Sequence, residues 1–149
     1  MGHWADDVDW DYPKKVREEI RKEREAERAA QEGGIALITA ERRRQIESEG
    51  WTPEHDDGHK DGQLAMAAAC YAAPVPVLVR VPLAHGTAYR DPWPWDRKWD
   101  KRPRDVGGRF RAPTREERRR MLVKAGALIA AELDRMARED AQGQEVNER

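Results

Sequence analysis

The Gly50-Trp51 pair constrains this chain more than any other feature, because it ends one helix and starts the turn into the next. Residues 41–50, ERRRQIESEG, place Ile46 on one side of a helix that Thr39 can cap. Gly50 is the residue type that accepts the left-handed backbone just past a helix end. Trp51 then falls where a side chain folds back on the last turn, which puts its indole over Ile46 and against the core. A polar turn, TPEHDDGHKDG, follows, and Asp61 can cap a second helix in which Leu64, Ala67, Ala68 and Tyr71 recur on one face. Pro74 stops that helix.

The flanks extend the pattern. Pro13 suits the first turn of a helix running to about Glu32 and ending at Gly33-Gly34. Its apolar content is thin, and its Lys14/Glu18, Lys15/Glu19, Glu18/Lys22 and Arg21/Glu25 pairs are worth only ~0.2–0.5 kcal/mol each, so it is read as solvated. After Pro74, Val75, Val77, Val79 and Val81 favour strand, while Pro76 and Pro82 each lack a ladder donor; one short edge hairpin is the most this stretch allows. His85–Pro113 shows neither a helical nor a strand period. Thr114 and Glu117 then form a capping box, opening a helix with Met121, Leu122, Ala125, Leu128, Ile129, Leu133 and Met136 on one broad face. Gly126 inside it costs ~1 kcal/mol relative to Ala, which a close crossing or a ligand's approach would offset. The expectation is a mainly α fold: about four helices in a single domain, with one short extended edge-strand element and a long Trp/Arg-rich loop. Residues 1–34 form a charged N-terminal arm and helix, with Trp4 and Trp10 in the arm, 35–139 the helical core, and 140–149 a polar, fraying tail. The alanine-rich faces suggest a homo-oligomer.

Apolar and charged residues each make up 38% of the chain, so part of its length must be solvated rather than core. The one cysteine, Cys70, sits in an alanine-rich helical run and reads as a small buried hydrophobe in a reducing compartment. No apolar run approaches the ~18 residues of a membrane span, and the N-terminus is acidic rather than signal-like, so the protein is expected to be cytoplasmic with no membrane partner. The net charge of −1 conceals a basic stretch: residues 90–120 hold twelve Lys and Arg against six Asp and Glu, interleaved with Trp93, Trp95, Trp99 and Phe110. Such a stretch can meet phosphate or an acidic partner, or form a solvated loop.

Two groups of residues can carry chemistry. His55, Asp56, Asp57 and His59 are metal-ligand types, and His85 adds a third imidazole, but their spacing matches no established cage, and Gly58, Asp61 and Gly62 account for the turn without a metal. No Gly-rich phosphate loop and no nucleophile elbow is present, so binding is expected rather than catalysis, with no cofactor. Six tryptophans in so polar a chain are the stronger signal, since indoles stack on flat bases while Arg or Lys pairs with phosphate. PWPW at 92–95 presents two of them on an extended, polyproline-like frame. The candidate ligand-binding residues are Trp51, His55, Asp57, His59, Trp93, Trp95, Arg97 and Lys98.

The run ERRRQIESEGWTPEHDD at 41–57, followed by Leu64, Tyr71, PWPW and RRMLVKAGALIAAE, resembles a family of small phage and prophage proteins of unassigned function, over roughly residues 37–137. More weakly, Arg42, Ile46, Gly50, Trp51, Asp56, Asp57, Lys60 and Leu64 are similar in spacing to the ryanodine-receptor repeat domain, some members of which are associated with adenine nucleotides and occur near bacterial defence systems. The resemblance implies a phage accessory protein that holds a nucleotide-derived small molecule without catalysis, sequestering a host defence signal. The alternatives are a nucleic-acid- or host-protein-binding module using residues 90–120, and a metal-dependent phosphohydrolase at the His55–His59 turn.

Overall fold

Two faces of small and aliphatic side chains, on α3 (Gln63–Ala72) and α4 (Arg115–Asn147), make the core of this protein. In the computed structural model, which describes residues 13–148, Leu64, Ala67, Ala68 and Tyr71 of α3 meet Met121, Ala125, Leu128 and Ala131 of α4. The four α3 positions are those of the expected face, and the alanines let the two helices approach closely. Those same alanines are therefore used within the chain. Arg118 of α4 donates to the carbonyls of Tyr71, Ala72 and Ala73, satisfying the end of α3 that Pro74 leaves open.

The broad apolar face expected on α4 divides. Met121, Ala125 and Leu128 are buried, whereas Leu122, Ile129, Leu133 and Met136 are exposed. Gly126 meets a close crossing: a Cβ there would stand 2.5 Å from Ile38 Cδ1. The capping box forms as expected, with Thr114 Oγ1 accepting from the Glu117 N–H and a Glu117 oxygen accepting from the Thr114 N–H. Glu117 also pairs with Arg111 at 2.7 Å, and that bond with the cap holds its carboxyl down to about 2.

The chain divides into two units, residues 1–36 and 37–149. In the first, the charged helix carries the exposed pairs Arg21–Glu25 and Lys22–Glu18. The expected arm with Trp4 and Trp10 lies outside the described residues. Helix α1 spans Lys14–Glu49, with a break at Gly33, whose φ of 69° and ψ of −156° are not helical. The second unit holds the rest of α1, the single turn α2 (Pro53–Asp56), α3, an antiparallel hairpin of β1 (Val79–Leu83) and β2 (Gly86–Arg90), a 3-10 turn at Arg97–Trp99, and α4. The fold is mainly α with one short strand element.

Four local expectations are corrected. Thr39 lies inside α1 rather than at a helix start, because the helix continues unbroken from Gly34. Gly62, at φ 78°, occupies the N-cap position of α3 with no side-chain cap, and Asp61 instead donates its N–H to the Gln63 side chain. Residues 86–90, expected in an aperiodic loop, form β2, since pairing with β1 supplies the order that their side-chain pattern lacks. The polar residues after Asp140 continue the last helix, since α4 runs to Asn147.

Candidate functional site

The site is built where α1 stops. Gly50 takes a φ of 72°, and the Trp51 N–H donates back to the Gln45 carbonyl at 3.1 Å, six residues earlier. Thr52 caps α2, with its hydroxyl accepting from the His55 N–H, and Pro53 occupies the first turn. Two arginines fasten this short turn. Arg42 of α1 donates to the Trp51 carbonyl at 3.3 Å and pairs with Asp56, whose side chain is 0% exposed. Arg138 of α4 donates to Asp57 at 2.9 Å and to the Pro53 carbonyl at 3.2 Å. Both carboxylates of the His-Asp-Asp run are thus engaged by guanidinium groups.

The second wall comes from the Trp-rich segment. Arg102, nearly buried, bridges Asp91 at 2.8 Å and Asp100 at 2.9 Å, and Arg104 adds a bond to Asp100. Burial alone would raise the Asp100 carboxyl, but hydrogen bonds from Arg102 and Arg104 hold it below its ordinary value. The Lys101 N–H donates to the Tyr71 hydroxyl at 3.0 Å, joining the segment to α3, and burial pushes that phenol up to about 12. Trp93 donates its indole N–H to the Asp96 carbonyl and stands edge-on to Tyr71 and Trp95. Asp96 accepts the Lys98 N–H at 2.9 Å and so opens the 3-10 turn that carries Trp99.

Between these walls lies a cavity of about 260 Å³ lined by Trp51, His55, His59, Leu64, Trp95, Asp96 and Trp99. Trp51 is near-parallel to His55, at 14° with centroids 6.2 Å apart, and edge-on to Trp95 at 5.8 Å and Trp99 at 6.4 Å. His59 closes the ring set, 4.9 Å from His55 and 5.3 Å from Trp95. Burial, then the neighbouring His55, lowers the His59 pKa. The Trp95 indole nitrogen is buried without a hydrogen-bond partner among the described residues.

Of the residues expected from sequence, Trp51, His55, His59 and Trp95 line this cavity. Asp57 does not; it pairs with Arg138. Trp93 packs against the core with Arg102 over its ring at 5.4 Å. Arg97 and Lys98 lie outside the lining, although Lys98 Nζ sits 5.4 Å from the centroid of the Trp99 ring. Leu64, Asp96 and Trp99 were not expected there. Leu64 carried only a core signal, and Trp99, 44% exposed, is placed by a turn that side-chain periodicity does not report.

Among the described residues, no three His, Cys, Asp or Glu side chains group as a metal-binding set. No described helix is long and apolar enough to cross a membrane. No family model, curated protein or solved structure matches this chain, so the candidate site rests on its own geometry.

Proposed function

We propose that this chain binds a nucleotide-derived small molecule by its flat ring, in the cavity between Trp51, Trp95 and Trp99, and holds it without converting it. The observation that carries the reading is the convergence of three indoles and two imidazoles from separate segments on one cavity of about 260 Å³. Ring faces of this kind stack on a heterocycle with little regard to its substituents, each stack contributing ~1–3 kcal/mol. Lys98 and Arg97, on the turn that bears Trp99, supply positive charge for a phosphate. Holding is favoured over conversion because His55 Nδ1 stands 3.6 Å from Asp56, longer than a hydrogen bond, and Asp56 is already paired with Arg42. In the setting that the phage-family resemblance implies, such a protein sequesters a host defence signal in the host cytoplasm.

The nucleic-acid and host-protein reading through residues 90–120 is weaker for a specific reason. Arg102 and Arg104 are engaged with Asp91 and Asp100, Arg111 with Glu117, Arg118 with the end of α3 and Arg120 with Glu116. Five of the twelve cationic side chains of that stretch are therefore engaged within the fold. Native mass spectrometry of the purified protein, followed by titration with mononucleotides, a cyclic dinucleotide and an oligonucleotide at two salt concentrations, tests the choice. A retained or added small nucleotide whose affinity changes little with salt is the expected result. Binding of the oligonucleotide alone, falling steeply with salt, would replace this reading with the nucleic-acid one.

A further inference from the structure

The cavity's electrostatics narrow the class of ring it takes, given the binding reading above. We infer that the ring is cationic: an N-alkylated heteroaromatic of the pyridinium type, seated on the indole faces with Asp96 as its counter-charge.

Three observations carry this. First, Asp96 is the one carboxylate in the lining, which contains neither Lys nor Arg. Second, three indoles line the cavity, and an indole face, unlike its positive edge, attracts a weakly hydrated cation more than a neutral ring. Trp99 already serves in this way toward Lys98, whose ammonium lies 5.4 Å from its centroid outside the lining. Third, the carboxylates acting on His59 favour a cation within the cavity, and the Lys98 ammonium beside Trp99 opposes one only from outside the lining. Asp56 and Glu132 both act on His59 electrostatically as negative charges, and they are paired with Arg42 and Arg135 on sides that do not line the cavity. His59 itself is held toward its neutral form by burial, so it adds little positive charge near neutral pH. A dianionic phosphate has no cation in the lining to receive it, while Arg97 and Lys98 on the adjoining turn remain for a phosphate attached to the ring.

Calorimetric titration with two methylated nicotinamides of nearly the same shape separates charge from shape: one methylated on the ring nitrogen, which is a cation, and one methylated on a ring carbon, which is neutral. The wild-type protein is expected to prefer the cation by about ten-fold or more. Asp96→Asn keeps the side-chain oxygen that accepts the Lys98 N–H, so the turn is retained, and it should cut the preference to about two-fold. Equal or tighter binding of the neutral compound by the wild type overturns the charge inference and leaves ring binding standing. Absence of binding by both compounds overturns the inference together with the reading it rests on. A preference unchanged in a folded Asp96→Asn protein, judged by its circular dichroism melt, removes Asp96 as the counter-charge.

Discussion

Asp56 shows how single residues decide this site. Its carboxylate is wholly buried, one of its oxygens has no hydrogen-bond partner among the described residues, and Arg42 provides its compensating charge. Breaking a buried pair leaves the remaining ion stranded, so Arg42→Ala should destabilise the protein by ~3–5 kcal/mol in chemical denaturation. A loss below ~1 kcal/mol would show the pair to be well solvated. His59 carries a second prediction. Its pKa in the fold lies below the ordinary 6.5, so below that value the unfolded chain takes up a proton that the folded chain resists. The neutral imidazole's stabilising effect is complete above the unfolded value and is lost as pH falls toward the lowered one. Thermal melts from about pH 8 to about pH 5 should show a steeper decline for the wild type than for His59→Gln. Parallel profiles would contradict this. Much at this scale could be read from the sequence, because Gly50's left-handed turn and Trp51's return to the fold follow from residue type alone. Asp57 could not be placed in that way: its partner Arg138 is 81 residues away, and local spacing says nothing of such a pair.

At the level of elements, the period of 3.6 identified α3 and the buried part of α4, since both helices bury one stripe against the other. It could not tell which half of α4's broad face would be covered. Leu133, 62% exposed, and Met121, buried, belong to the same apolar pattern, and only the position of α3 separates them. The hairpin's second strand was illegible for a related reason: Gly86–Arg90 has a weak pattern of its own and is ordered by Val79–Leu83. Gly126 was legible as a helix-interior cost whose offsetting neighbour, Ile38, only the structure identifies. Gly126→Ala gains ~1 kcal/mol of helix propensity but overlaps a branched side chain, an overpacking that costs ~1–3 kcal/mol. A net loss of melting temperature is expected, with recovery when Ile38→Ala is added. A stabilised single variant would show that α1 yields freely at this crossing.

On the scale of the whole molecule, part of the sequence's uneven charge is structural. Arg102 and Arg104 tie the Trp-rich segment to Asp91 and Asp100, the Lys101 N–H ties it to Tyr71, and Arg118 joins α4 to the end of α3, fixing the wall that bears Trp95 and Trp99. The cavity itself could be foreseen only in part, because Trp51, which follows α1, lies 44 residues before Trp95, which precedes the 3-10 turn that carries Trp99. Trp51 and Trp95 also pack against the core, so truncating either would confound binding with stability. Trp99 lines the cavity while remaining 44% exposed, which makes it the cleanest probe. The most direct measurement is the affinity of Trp99→Ala for whichever small nucleotide the wild type binds, taken by calorimetry beside a thermal melt of both unliganded proteins. The account predicts a binding loss of ~1–3 kcal/mol with little change in melting temperature. Undiminished affinity in a folded Trp99→Ala protein would contradict it.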